Sequence, residues 1–112
     1  MSEPGMAWTS LCELEDLIEN EGKYVEIDGF QLAVFLSEGN VSVIDNRCPH
    51  AGGNLSAGNV EGGCAVCPRH YWAFRLENGQ MRDTPGVAVS WYPTRLYEYQ
   101  GRRVVQADLP SI

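Results

Sequence analysis

Cys48-Pro49-His50 and, after sixteen intervening residues, Cys67-Pro68-Arg69-His70 are the stretches that decide how this chain folds. Each offers one thiol and one imidazole, and the chain has only two histidines, both placed here. A C-x-H and a C-x-x-H beside Pro- and Gly-rich turns read as one metal site built by two facing loops. The set suits a 2Fe–2S centre with two Cys on one iron and two His on the other. Thiolates are soft donors and imidazoles are neutral nitrogen donors. Two neutral imidazoles in place of two thiolates leave the oxidised centre uncharged, which raises its reduction potential above that of a four-Cys cluster. The competing reading is a structural Cys2His2 zinc site. Zinc pairs more often run C-x2-C with H-x3-H, whereas each loop here supplies one residue of each type.

Around these loops the chain reads as strands joined by tight turns. Asp28-Gly29 separates Tyr24–Ile27 from Gln31–Leu36, and Glu38-Gly39-Asn40 leads into Val41–Ile44. Asn78-Gly79 sits between Trp72–Leu76 and Gln80–Arg82, and Gln100-Gly101 joins Arg95–Tyr99 to Arg102–Gln106. Such pairs between β-rich runs are hairpin signals. They predict an all-β chain, an antiparallel meander closed as a small sandwich or barrel. Residues 46–58 hold four Gly or Pro and little periodicity, so they read as loop. Asn59–Glu61 and Cys64–Val66 are expected as short strands leading into the second loop. One short helix is expected after Ser10, where Ser10-x-x-Glu13 fits a capping box and Leu14, Leu17 and Ile18 form a stripe ending near Asn20-Glu21-Gly22. The expected organisation is a single domain over 1–112. Its base is made of 1–45 and 88–112, and a cluster-binding subdomain, 46–87, is inserted into it.

Size and charge narrow the function. A chain of 112 residues buries a modest core, to which a bound metal centre would add stability. The net charge of −7 argues against nucleic acid, whose phosphates call for Lys and Arg. That charge is uneven. Residues 46–87 carry Arg47, Arg69, Arg75 and Arg82 against Glu61, Glu77 and Asp83, so the metal-bearing middle is near neutral and the flanks are acidic. No run of eighteen apolar residues exists and Met1–Gly5 lacks a signal pattern, so a cytoplasmic protein without a membrane span is expected. Four cysteines in that compartment favour ligation or free thiols over disulfides.

Among the remaining residues, strand alternation sets Cys64 on the face opposite Cys67, as a small core residue rather than half of a CxxC pair. Cys12 is expected packed or free. Trp8, Trp91, Tyr92, Tyr97 and Tyr99 read as core and surface aromatics. With both histidines spent as ligands, no general base is in sight and the chain alone should not turn over a substrate.

At these residues the sequence resembles the Rieske-type ferredoxin family. His50-Ala51-Gly52-Gly53-Asn54-Leu55-Ser56-Ala57-Gly58 is similar to the family's first loop. His70-Tyr71-Trp72-Ala73-Phe74 with Asn78-Gly79 is similar to its second loop and hairpin. The likeness covers residues 6–108. It implies three antiparallel sheets with a cluster-binding subdomain and one 2Fe–2S cluster. Cys48 and Cys67 would hold its inner iron, and His50 and His70 its exposed one. Backbone N–H groups of the glycine loop would point at sulfur, and Thr84-Pro85-Gly86 could cover the cluster. The resemblance also implies an electron carrier between a flavin- or NAD(P)H-dependent reductase and a terminal oxygenase or nitrite reductase, with Arg47 and Arg69 as candidate docking contacts. The alternatives are the small subunit of an NAD(P)H-dependent nitrite reductase and a regulatory or structural module. Where respiratory members of the family carry a disulfide, this chain has Gly53 and Arg69. Where they place Ser and Tyr hydroxyls, it has Trp72 and Phe74. Both departures imply a low-potential soluble type.

Overall fold

A computed structural model describes residues 8–49, 53–69 and 71–110. It contains ten strands: β1 (Trp8–Glu13), β2 (Gly22–Ile27), β3 (Phe30–Ser37), β4 (Asn40–Asp45), β5 (Asn59–Glu61), β6 (Cys64–Val66), β7 (Ala73–Arg75), β8 (Trp91–Tyr92), β9 (Thr94–Tyr99) and β10 (Arg102–Asp108). They form three antiparallel sheets, ordered β1-β10-β9, β2-β3-β4-β8 and β5-β6-β7. The all-β fold expected from the turn chemistry is therefore present, and no α-helix occurs among the described residues.

Three of the four turns behave as their sequences suggest. Asp28-Gly29, Glu38-Gly39 and Gln100-Gly101 each place both residues at positive φ, between 51° and 85°, the conformation of a two-residue turn that follows strand twist. At the fourth, Asn78-Gly79, only one strand forms. β7 has no partner strand across this turn, and Gln80–Arg82 returns beside it through single contacts, with the Arg75 amide donating to Gln80 O and the Arg82 amide to Ala73 O, both at 2.8 Å.

The helix expected after Ser10 is absent. Residues 8–13 pair with β10 instead, with a bulge between Ser10 and Cys12. Ser10 Oγ accepts from Gln106 Nε2 across the sheet at 3.0 Å and caps nothing. Only one 3-10 turn forms, Leu14–Asp16, and its capping box is Glu13 with Asp16. Strand pairing supplies more hydrogen bonds and burial than a marginal two-turn helix could.

Two apolar clusters fill the base and the site. Leu17, Leu32, Val34, Val43, Tyr92, Val105, Ala107 and Leu109 pack together between the two larger sheets. Opposite faces of β3 and β4 supply Ala33, Phe35 and Ile44 to a second cluster, joined there by Leu55, Ala65, Phe74 and two of the four cysteines, Cys48 and Cys67. Strand alternation thus lets one sheet floor both cores.

Candidate metal centre

The first loop leaves β4 and is fixed at once by Asn46, one of two buried polar residues among those described. Its amide donates to Gln31 O at 2.9 Å, and its carbonyl accepts from the Leu55 amide at 2.7 Å. Its side-chain oxygen accepts from the Ser56 amide at 2.9 Å, and its Nδ2 donates to Asn54 Oδ1 at 3.1 Å. Three of these bonds tie the start of the loop to its end, and the fourth ties it to β3. Inside that clamp the Cys48 amide donates to Gly53 O at 2.8 Å. Leu55, fully buried, anchors the far side through the 3-10 turn Leu55–Ala57.

The second loop follows β6. Cys67 donates its amide to Trp72 O at 2.7 Å and accepts from the Tyr71 amide at 2.8 Å. Tyr71 has φ 60°, a left-handed conformation that costs a bulky residue energy and that its neighbours enforce. Its ring is 77% exposed. Gly58 lets the two loops meet, since a Cβ there would fall 1.9 Å from Val66 O.

Gly53 shows how the loops face each other. Its carbonyl holds the Cys48 amide, and a Cβ on it would stand 3.0 Å from Cys67 Sγ and 3.1 Å from Arg69 Cγ. Both thiols, at 1% and 0% exposure, belong to the same buried cluster and are bonded to no other cysteine. Positions 53 and 69 do oppose one another, and neither can supply a bridging sulfur. Phe74 is buried and Trp72 lies 6.5 Å from it, so apolar rings stand where hydroxyls would otherwise be. Arg47 and Arg69 are exposed on the two loops. Thr84, Pro85 and Gly86 are exposed too, but Met81, Val87 and Val89 on either side pack into the cluster that holds the cysteines. Cys64 packs with Val66 and Ala73 in a cluster of its own, away from Cys67. Sequence reasoning missed Asn46, since a lone Asn at a strand end carries no signal beyond a preference for turns.

His50 and His70 lie outside the described residues, and among the described residues no three metal-ligating side chains converge. What is described fits half of a two-iron donor set: two sheltered thiols on opposed, hydrogen-bonded loops, with water excluded behind them.

The profile of the Rieske [2Fe-2S] domain matches residues 7–99. The chain belongs to this family and accordingly carries one Rieske-type 2Fe–2S cluster. Its fold is similar to that of a protein assigned as an NADH-dependent nitrite reductase small subunit from Mycobacterium tuberculosis. That likeness has 31% identity and a TM-score of 0.82, over 96% of this chain and 98% of that one. The Sphingomonas yanoikuyae B1 ferredoxin gives 26% identity and a TM-score of 0.76, over 93% and 100%. In sequence, the ferredoxin component of the Pseudomonas putida naphthalene 1,2-dioxygenase system is 29% identical over 80% of this chain and 86% of its own length. Cholesterol 7-desaturase of Hemicentrotus pulcherrimus is 36% identical over 70% of this chain. The chain spans only 13–20% of the length of such desaturases and of the oxygenase components of 3-ketosteroid-9-alpha-monooxygenase.

Proposed function

We propose that this chain is a ferredoxin that passes single electrons from a flavin- or NAD(P)H-dependent reductase to a terminal oxidoreductase in the cytoplasm. The observation that carries this reading is the pair of buried, unbridged thiols, Cys48 and Cys67, set on two facing loops of a fold shared nearly end to end with small ferredoxins. Among the described residues, no helix is long and apolar enough to cross a membrane.

In this proposal Cys48 and Cys67 hold one iron and His50 and His70 the other, within a cluster-binding subdomain of residues 46–87 on a base of 1–45 and 88–112. When bound, the cluster supplies a one-electron couple whose potential lies toward the lower end of the Rieske range, about −150 to +300 mV. The chain's own residues do the rest. Asn46 and Gly53 hold the first loop to its geometry, as supporting partners around metal sites do. Leu55, Ala65, Phe74 and Leu76 shut water out behind the cysteines. Trp72 and Phe74 donate no O–H bond to sulfur or thiolate, which keeps the potential low. Arg47 and Arg69 present positive charge at the exposed end, where they steer a partner's acidic groups. With His50 and His70 taken as ligands, a general base is hard to find, and in this proposal the chain acts as a component rather than as a catalyst by itself.

A second reading, the small subunit of an NAD(P)H-dependent nitrite reductase, is favoured by the likeness to the M. tuberculosis protein. The test is metal analysis of anaerobically purified protein, followed by reoxidation of the reduced form. About two irons with matching sulfide, a rhombic EPR signal after dithionite, and loss of both in His50→Ala support the cluster and its ligands. Rapid reoxidation by a ring-hydroxylating oxygenase supports the ferredoxin, and by a sirohaem nitrite reductase the second reading. Stoichiometric zinc, or an intact spectrum in His50→Ala, overturns the ligand assignment. A loaded cluster that neither enzyme reoxidises leaves the regulatory or structural module and overturns the carrier.

A further inference from the structure

β9 is the last strand of its sheet, with β10 on one side; among the described residues no strand is paired to its other edge, which meets β4 at Thr94, whose Oγ1 donates to Val41 O at 3.1 Å. Exposed edges normally carry a Lys, a Pro or a bulge that turns away a second strand. β9 reads Thr-Arg-Leu-Tyr-Glu-Tyr, and its register with β10 runs unbroken from Thr94 opposite Ala107 to Tyr99 opposite Arg102. Since the two-residue turn Gln100-Gly101 is closed by a hydrogen-bonded pair, Tyr99, Tyr97 and Arg95 turn their backbone groups toward β10. Leu96 and Glu98 turn theirs to the open edge.

The side chains on this strand are unusual for an edge. Leu96, Tyr97 and Tyr99 are three of the seven large hydrophobic residues exposed among the described residues. Tyr97 and Tyr99 stack at 6.4 Å and 17°. The Arg95 guanidinium lies 4.3 Å from the Trp8 ring centre and 5.9 Å from that of Tyr97. One face of β9 is thus a row of guanidinium and rings. Within the chain, Arg95 Nε donates to Gln106 Oε1 at 2.8 Å, and Glu98 stands across from Arg103 in the register.

We propose that β9 pairs antiparallel with β9 of a second copy of this chain, about a two-fold axis through Tyr97. A two-fold axis normal to a sheet keeps each residue on its own face, so Arg95, Tyr97 and Tyr99 can oppose only one another. With Tyr97 opposite its copy, Leu96 and Glu98 exchange backbone hydrogen bonds on both sides of the axis. Each Arg95 then faces a Tyr99 ring, repeating across the interface the guanidinium–ring contact each chain already makes. A register centred on Glu98 would instead oppose two carboxylates. The occupant is a second copy because the Arg95–Tyr99 match occurs twice and needs no other sequence. Residues 94–103 carry Arg95, Arg102 and Arg103 against Glu98, so in a chain of net charge −7 the edges that meet bring no carboxylate cluster together.

The test is sedimentation equilibrium of the cluster-loaded protein across micromolar concentrations, with Tyr99→Lys, Tyr97→Cys and Leu96→Cys. The wild type forms a dimer whose dissociation constant rises about tenfold or more in Tyr99→Lys, with the cluster absorbance unchanged. Residues directly opposed in a non-hydrogen-bonded pair have Cα atoms about 4.5 Å apart, within disulfide reach. Under mild oxidation Tyr97→Cys therefore cross-links into a dimer well ahead of Leu96→Cys. A monomer at every concentration, a dimer indifferent to Tyr99→Lys, or equal cross-linking at 96 and 97 overturns the proposal.

Discussion

Gly53 presses directly on Cys67: a Cβ at position 53 would stand 3.0 Å from the Cys67 sulfur, with Arg69 Cγ and Cδ at 3.1 and 3.2 Å. The glycine is there for space, so that the two loops can close over a shared point. Arg69 is a flexible chain that can swing aside, whereas the sulfur, buried in the core, cannot. Gly53→Ala is therefore expected to destabilise the protein by about 1 kcal/mol and Gly53→Val by about 2–3 kcal/mol. Both should lower iron per chain, and adding Arg69→Ala should not restore it. Urea unfolding with iron and sulfide assays reads both effects. Full loading in Gly53→Val would show that the sulfur has room to move.

Asn46 is the strut of the first loop, and its removal should be costly. Asn46→Ala leaves the Ser56 amide and Asn54 Oδ1 without their partner in a part-buried place. The expected loss is about 2–3 kcal/mol, the cost of stranded polar groups plus a small void. Because Cys48 follows two residues later, cluster loading should fall along with the melting temperature. Asn46→Asp, which keeps the acceptor for Ser56 but loses the donor to Asn54, should lie between the two. A variant that melts early yet loads fully would confine Asn46 to stability.

How much of this was legible in the sequence follows from which forces are local. Asp28-Gly29 and Gln100-Gly101 could be read because positive φ at two successive positions is a local demand that few residue pairs meet. The cysteine pattern stands out because ligand spacing is local too, and both thiols are buried in one cluster. The segment after Ser10 could not. Ser10-x-x-Glu13 satisfies a local cap rule, but Gln106, 96 residues away, takes the Ser10 hydroxyl, and β10 takes the backbone. Ile18, counted in the apolar stripe, is 62% exposed, while Leu17 alone enters the core. Likewise Asn46 owes its role to partners on two other segments, β3 and residues 54–56, which no short window of sequence contains.

Docking charge gives a third prediction, resting on the proposed carrier role. Arg69 is exposed on the second loop, two residues past Cys67. Arg69→Glu reverses the charge a partner meets there. The expected result is slower reduction by the reductase, by about tenfold at low salt and converging on wild type as ionic strength rises. Stopped-flow kinetics across a salt series decides it. Equal rates at low salt would take Arg69 out of the encounter surface, while a deficit that persists at high salt would point to damage in the loop instead.

Alkaline stability rests on two groups outside the cluster loops, the Cys12 thiol and the Tyr92 hydroxyl. Burial raises the Cys12 thiol from 9.0 to about 11, opposed by Lys23 and reinforced by Asp16. Burial also lifts the Tyr92 hydroxyl from 10.0 to about 12, aided by its 2.8 Å hydrogen bond to Asp45 Oδ1. Each is protonated in both the folded and unfolded chain at neutral pH, so neither makes stability depend on pH there. Above the unfolded value the unfolded chain loses its proton first, and ∂ΔG/∂pH turns negative. Their contribution is thus complete below pH 9.0 for Cys12 and 10.0 for Tyr92, and is lost by about 11 and about 12. Urea unfolding followed by circular dichroism at stepped pH should show stability falling from pH 9 upward. Cys12→Ala should flatten the first part of that fall, and Tyr92→Phe the last. Tyr92→Phe should also be less stable at neutral pH by about 1–2 kcal/mol, having lost a hydrogen bond to a charged group. If Cys12→Ala and wild type lose stability in parallel between pH 9 and 11, the thiol is ionising as freely in the folded chain as in the unfolded one, and the packing of β1 against β10 does not shelter it.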